Sequence, residues 1–508
     1  MRYYVSCSLV CLAGLVLVVV AVWATGENSV RAVDMTARSE VTITLTNDGY
    51  EPSKLFISRG TRVTFKSDIK RAFWPASAVH PAHAIYPAFD PRRPLEPEEI
   101  WSFVFEKDGR WDFHDHLYAT ETGAIVVIPP GEKADKKWDV LAQCGEYDPE
   151  GKKSCWENHI IDALETSGLD GAFDELKRLR IADSSFGDVC HTYAHEIGLL
   201  SFKKYGDNPP LSEKAGYCND GFFHGYLEGF LGKHQNPKDA RVFCDRVAKK
   251  FKTTYPSAGS QCNHGIGHGT ADYLLVTRPD LWSDLPQIAH MAATACAETN
   301  SEETERFRCA SGAYDVLAKW ARLQKRYADS FSIDNPYVLC RKDAESWDRE
   351  ACVREMSKLA VLRASNFDIK KTFAIIEQQK LFPPGSAGLA HMIEGSANLY
   401  AGRSGSNSNT DLVATCRLLH GRENQSACIR GVVGGLFLKG VPGEEVGRVT
   451  RFCLNGSLEE RERALCAQTF IQNLRNSYEP EKAIEACSVL SDASPSLSAF
   501  CSPAMVRK

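Results

Sequence analysis

Several signatures of exported and intracellular enzymes are missing from the 508 residues. There is no His-Glu-x-x-His: His195-Glu196 is followed by Ile197-Gly198-Leu199, which excludes that zinc-protease helix. There is no Gly-x-Ser-x-Gly elbow, so the serine-hydrolase turn is excluded. No Cys-x-x-Cys-His occurs, which argues against a c-type cytochrome, and no phosphate-binding or dinucleotide fingerprint is present. Basic excess is lacking too. The net charge is −5, which points away from a nucleic-acid partner. Among the sixteen cysteines from Cys144 onward, none has a second cysteine within four residues, as zinc ribbons and fingers require. Between residues 39 and 130 the chain has neither cysteine nor methionine.

What is present begins with an apolar run from Val5 to Trp23 behind Met1-Arg2. Residues 1–24 read as a signal peptide cleaved after Ala24, or as a membrane anchor if uncleaved. Either way the remainder is expected outside the cytoplasm, periplasmic or extracellular, with membrane contact through this segment if it is retained. The cysteines agree with export. They fall in successive pairs, Cys144/Cys155, Cys190/Cys218, Cys244/Cys262, Cys296/Cys309, Cys340/Cys352, Cys416/Cys428, Cys453/Cys466 and Cys487/Cys501, which reads as a framework of local disulfides that clamp helix ends across loops.

Residues 25–38 are polar and unpatterned, and are expected to be a tether. From Glu40 the apolar period becomes two: Val41, Ile43 and Leu45 alternate with threonines. Lys54–Ser58, Arg62–Lys66, Ile100–Phe105 and Ala124–Ile128 continue as short strands between turns, which predicts an all-β sandwich. The order of Tyr50-Glu51-Pro52, Arg59-Gly60-Thr61-Arg62-Val63-Thr64-Phe65, Gly109–His116 and Gly123–Val127 resembles the cupredoxins, the plastocyanin-like sandwiches, over residues 39–130. The resemblance implies a copper site near the end of the penultimate strand. A blue-copper centre needs a cysteine thiolate, so none is expected here. What remains is His80, His83, His114 and His116. The His-x-His at 114/116 is similar to the type 2 and type 3 copper motifs of multicopper oxidases, and the resemblance implies a His-only copper or zinc site. On this reading both histidines meet one ion only if the strand has ended by Asp115.

Residues 131–143 read as a linker, after which the period turns helical: Trp156, Ile160 and Leu164 share a face, as do Phe173, Leu176 and Leu179. From residue 144 to 508 the chain repeats. The second cysteine of each pair marks the unit, at Cys218, Cys262, Cys309, Cys352, Cys428, Cys466 and Cys501. A cysteine followed by x-x-Gly recurs as Cys218–Gly221, Cys262–Gly265, Cys309–Gly312 and Cys428–Gly431, and Met392–Gly395 fills the one long gap. Units of 35 to 47 residues suit stacked helical hairpins. The fold class expected is therefore a β-sandwich head on an all-α, disulfide-stapled, solenoid-like domain.

The first repeats carry histidines that later ones lack. His191/His195 and His264/His268 are spaced i, i+4, so each pair projects from one helical face, as two imidazoles do when they bind one metal. His224 and His268 both lie six residues after their cysteine. Asp220 and Asp272 are placed as partners for the imidazoles. Glycines at 221, 225, 229, 265 and 269 would let another helix or a ligand approach the backbone. His159, His234, His290, His391 and His420 stand alone and read as structural. Three functions stay open: an exported protein that handles copper, zinc or another transition metal, with an envelope protein or redox partner; a helical scaffold of the cell envelope without metal; or a metal-dependent enzyme with Glu196 as general base.

Overall fold

The computed structural model describes residues 32–501 apart from 81–82, 84, 135–143, 145–147, 324–333, 342, 404–407, 439–444 and 479. The N-terminal apolar run and most of the linker lie outside the described residues.

The head is a two-sheet sandwich. Five strands, β1 (Val33–Asp34), β4 (Lys54–Ser58), β9 (Tyr118–Ile128), β8 (Gly109–Asp115) and β6 (Pro75–Ser77), form one sheet in the order β1-β4-β9-β8-β6. The other runs β3-β2-β5-β7, from β2 (Glu40–Thr46), β3 (Gly49–Glu51), β5 (Arg62–Ser67) and β7 (Trp101–Val104). Alternation decides the core: Ile43, Leu45, Val63 and Phe65 are wholly buried between the sheets, where Phe65, Phe89 and Phe113 make edge-on and tilted ring contacts. The tether expectation fails over its last residues. Val33 and Asp34 pair in parallel with Leu55 and Phe56, so the chain joins the sheet before Glu40.

The helical part is built from α1 (Pro149–Ala182), α2 (Cys190–Tyr205), α3 (Tyr217–His234), α4 (Pro237–Lys250), α5 (Ala258–Thr277), α6 (Leu285–Thr299), α7 (Glu303–Leu323) and α8 (Ser346–Glu355). The last runs through a π-helical stretch, Met356–Val361, to Ala364. Helices Ala387–Ala401, Arg422–Leu438 and Glu460–Ser477 continue the inner row. Most inner helices pack on the one before through the repeated glycine. A Cβ on Gly221, Gly265, Gly312 or Gly431 would run into the main-chain carbonyl of His191, Phe223, His264 or Glu394 of the preceding inner helix. Glycine is therefore needed there for backbone-to-backbone contact, which outweighs its cost of about 1 kcal/mol per helical position.

Disulfides staple these units. Seven bridges join Cys144–Cys155, Cys190–Cys218, Cys244–Cys262, Cys296–Cys309, Cys340–Cys352, Cys416–Cys428 and Cys453–Cys466. Cys487 is also disulfide-bonded; the side chain of its expected partner, Cys501, lies outside the described residues. Several second cysteines depart from the expected helix-end position, and two of these units also lack the glycine. Cys352 and Cys466 make the bridges foreseen for them, but neither clamps a helix end. Each is the seventh residue of its helix, Ser346–Glu355 and Glu460–Ser477, as Cys309 and Cys428 are of Glu303–Leu323 and Arg422–Leu438, and all four are wholly buried. A bridge reaching two turns into a helix pins the core-facing side of that helix, which a cysteine at the exposed end would not. Nor do Cys352 and Cys466 carry the glycine: Glu355 and Thr469 stand three residues on. Glu355 accepts instead from Ser311 of α7 (2.7 Å) and from Lys358 (2.8 Å), so a side-chain contact replaces the backbone contact in that unit.

The last units of the helical array return to an early one. Ser257 N–H donates to the Asn476 carbonyl (2.8 Å), so the loop before α5 touches the end of Glu460–Ser477. Among the described residues no helix is long and apolar enough to cross a membrane.

The sandwich is embedded in the helices. Trp74, Ala76 and Leu117 join the helical core with Leu274 and Trp320, and Ala78, Val79 and Ile85 pack with Trp156 and Ile160. Lys107 binds Asp148 (3.1 Å) and Glu150 (2.8 Å) at the start of α1. This apolar interface sets the position of every site residue described next.

Candidate metal centre

All nine histidines expected at two separate sites lie in one continuous cluster, where the end of β8 and the loop after β6 meet α2, α3 and α5. Eight of them are at most 8% exposed; His191 is partly buried. The bridged cysteines take no part in it as ligands, since each sulfur is already bonded to another.

On the sandwich side, His114 and His116 are two residues apart. Strand alternation sends both to one face and Asp115 to the other. β8 does end at Asp115, as the expectation required, although residues two apart in a strand share a face in any case. Asp115 fixes the turn: its Oδ1 accepts from Trp74 N–H (3.1 Å) and Leu117 N–H (3.0 Å), and its Oδ2 from Arg71 (3.0 Å). His80 Nδ1 lies 3.2 Å from His114 Nε2, and His83 Nε2 lies 2.9 Å from His116 Nδ1. Asp90 holds the other nitrogen of His83 at 2.7 Å. Ligand atoms of His80, His114 and His116 all fall within 4.8 Å of one another. Two nitrogens bound to one ion at about 2.0–2.1 Å are themselves about 2.9–3.4 Å apart, which these spacings match.

On the helical side, His224, His264 and His268 form a second triad of the same compactness. The His224 and His268 rings stack at 4.2 Å between centroids, and His264 lies 4.9 Å from His224. His264 and His268 fall in one compact group, whereas His191 and His195 share none. His191 Nδ1 lies 2.9 Å from the Cys218 carbonyl, whereas His195 Nε2 reaches Glu228 (3.0 Å). One turn of helix separates them, and their neighbours on α3 draw them to different partners.

Glu228 joins the two sides, and sequence reasoning missed it. Its Oε1 lies 3.0 Å from His195 and 3.1 Å from His268 Nδ1; its Oε2 lies 3.8 Å from His80 Nε2. Asp315, also missed, lies 2.8 Å from His268 Nε2 and accepts from Lys319 (3.1 Å). The signal for Asp315 was in the repeat: it follows Cys309 by six residues, the place of His224 and His268. Glu228 stands one turn after His224, as Asp272 does after His268. Asp272 groups with His80 and Glu228 within 4.8 Å. Asp220 does not partner an imidazole; it accepts from the Tyr255 hydroxyl, and burial pushes its carboxyl up to about 8.

Glu196 does not reach the imidazole groups as a ligand. Its carboxylate accepts from the main-chain N–H of His80, and burial pushes it up to about 7, with that N–H opposing and Asp112 adding. It positions the loop that carries His80. The five lone histidines sit elsewhere: His234 on Asp207 (2.9 Å), His420 on Glu377 (3.0 Å), His391 beside Glu350 (3.2 Å), His159 near Glu175 (3.5 Å) and His290 on Arg341.

Electrostatics keep most of the cluster neutral. Burial pushes His80 and His191 down to about 3, with Glu228 opposing at His80, and holds His114, His116, His224 and His264 well below the usual range, with Arg308 adding at His264. For Glu228, burial acts upward but the surrounding His195, His268 and His80 outweigh it and hold the carboxyl well below normal. For His268, burial acts downward but Asp315 and Glu228 outweigh it. Neutral imidazoles beside an ionised carboxylate are the forms that ligate a metal. Glu228 Oε2, His195 Nδ1 and His224 Nδ1 are buried without a hydrogen-bond partner.

No protein-family model and no curated protein matches the chain. Among solved structures it is similar to a novel purple cupredoxin from Nitrosopumilus maritimus, at 23% identity over 17% of this chain and 99% of that one, with a TM-score of 0.16. It is also similar to a Cu-containing nitrite reductase from Thermus scotoductus, at 20% identity over 18% of this chain and 23% of that one, with a TM-score of 0.16.

Proposed function

We propose that this protein binds transition-metal ions in the histidine cluster between its sandwich and its helices, and that its work is metal handling or redox chemistry outside the cytoplasm. The observation that carries this reading is the convergence of buried imidazoles from both regions into compact groups, with His195 Nδ1, His224 Nδ1 and Glu228 Oε2 left without a hydrogen-bond partner. Unsatisfied buried polar atoms cost about 1–3 kcal/mol each, and an ion would satisfy several at once. The donors are imidazoles and carboxylates without thiolate or thioether, a set that suits Cu(II) or Zn(II) and does not make a blue-copper centre. The disulfides and the N-terminal apolar run support an exported setting, in which a redox or envelope partner would meet it.

Metal analysis of untagged protein tests the proposal. The full chain should carry copper or zinc, and the double variant His264→Ala/His268→Ala should lose the helical share while its circular dichroism is kept. Unchanged metal content would remove the helical triad from the proposal, and a metal-free wild type would leave the scaffold reading.

A further inference from the structure

Glu228 has more capacity than the imidazoles use. Oε1 serves His195 and His268, while Oε2 is buried, free of hydrogen bonds, and turned toward His80. His80 is likewise two-sided: Nδ1 faces His114 in the sandwich triad and Nε2 faces Glu228. Asp272 completes a group whose ligand atoms lie within 4.8 Å of one another. Two carboxylates so close repel, and a cation between them turns that repulsion into attraction, more strongly where water is scarce.

A cleft of about 340 Å³ leads to this point. Its walls include Tyr118 from the start of β9, Lys203 from α2, Gly229 from α3, and Tyr273 and Val276 from α5; Glu228 and Asp272 line it as well. The six histidines of the two triads do not line it.

We propose that His80, Glu228 and Asp272 form a separate position for a divalent cation, reached from solvent through this cleft. It rests on the metal-binding reading in that it shares His80 with the sandwich triad; with both positions filled, His80 bridges them as an imidazolate, its ring N–H proton released to solvent. One imidazole and two carboxylates are harder donors than three imidazoles, so the position takes Zn(II), Mn(II) or Fe(II) in preference to Cu(I). Three protein ligands leave the rest of the coordination to water or an incoming small ligand, as open zinc sites do. The triads hold their ions within the buried cluster; this position exchanges its ion.

The test is a calorimetric titration of metal-stripped full-length protein with Zn(II) and with Mn(II), beside the near-isosteric variant Asp272→Asn. Wild type should bind one class of ion that Asp272→Asn binds roughly 100-fold more weakly or not at all, while ions held by the imidazoles stay. Val276→Trp, which narrows the cleft, should slow Zn(II) uptake in stopped flow without changing the final stoichiometry. Equal stoichiometry and affinity in wild type and Asp272→Asn would overturn the proposal while leaving the imidazole sites standing. Wild type that binds no ion at all would overturn the metal-binding reading itself. If Asp272→Asn does not fold, unchanged uptake in Val276→Trp overturns the proposal and slowed uptake supports it.

Discussion

The early and late units of the helical array share one scaffold and differ in chemistry. In both, the glycine three residues after the cysteine, or after Met392, seats the inner helix on its predecessor's backbone: Gly265 and Gly312 early, Gly395 and Gly431 late. Disulfides staple both, as Cys244–Cys262 and Cys416–Cys428 show. The sixth position differs. It holds His224, His268 and Asp315 in the units that face the sandwich, but Lys358, Asn398 and Gly434 farther on. The late units carry ion pairs between inner helices, such as Arg430–Glu394 (2.5 Å). The scaffold is thus indifferent to the site, and the clustered histidines occur only where the sandwich brings His80, His114 and His116 to meet them.

Breaking the scaffold in each half should separate the two roles. Gly312→Ala and Gly435→Ala put a methyl against the carbonyls of His264 and Asn398 respectively. Each should cost about 1–3 kcal/mol by overpacking, read as lowered urea midpoints. Only Gly312→Ala, which moves α7 and its Asp315 off His268, should also lower metal affinity. Equal metal loss in both would show that the halves are not independent.

Removing the late bridge with Cys416→Ser/Cys428→Ser should cost about 3 kcal/mol, the loop-closure value for its separation of 12 residues. Metal content should stay at the wild-type level, measured after desalting at a temperature where the variant is folded.

A graded effect is expected from pH. His80 and His191 are held at about 3 in the folded chain against 6.5 when unperturbed. The unfolded state therefore binds protons first, and the ion-free protein should lose stability as pH falls from about 6.5 toward 3. Metal-loaded protein should resist the upper part of that fall, because bound imidazoles cannot protonate. Chemical denaturation at stepped pH, with and without chelator, measures both curves; identical curves would count against bound metal.

Much of this was legible in the chain itself. Alternation at Val41, Ile43 and Leu45 announced the sandwich, and the paired cysteines announced local bridges, because both depend on neighbours in sequence. Where those bridges attach was not legible: Cys352 and Cys466 lie two turns inside their helices because the buried face, not the loop, receives them. The histidines stood out by their spacing. Glu228 escaped notice because a glutamate on a helix looks the same whether it faces water or a ring of imidazoles. His191 and His195 share no compact group because a shared helical face does not fix which partner lies opposite. The tether expectation failed at Val33–Asp34 because two residues are too few to show a period.

By itself, then, the amino-acid order determined the two kinds of secondary structure, the stapling and the identity of the nine candidate imidazoles. Local periodicity and covalent spacing are sufficient for those. Only the packing of Trp74, Leu117 and Trp320 at the boundary between the two regions decided that two expected sites are one cluster with Glu228 at its centre. Convergence of side chains far apart in sequence is a property of the buried interface, and no window of sequence contains it.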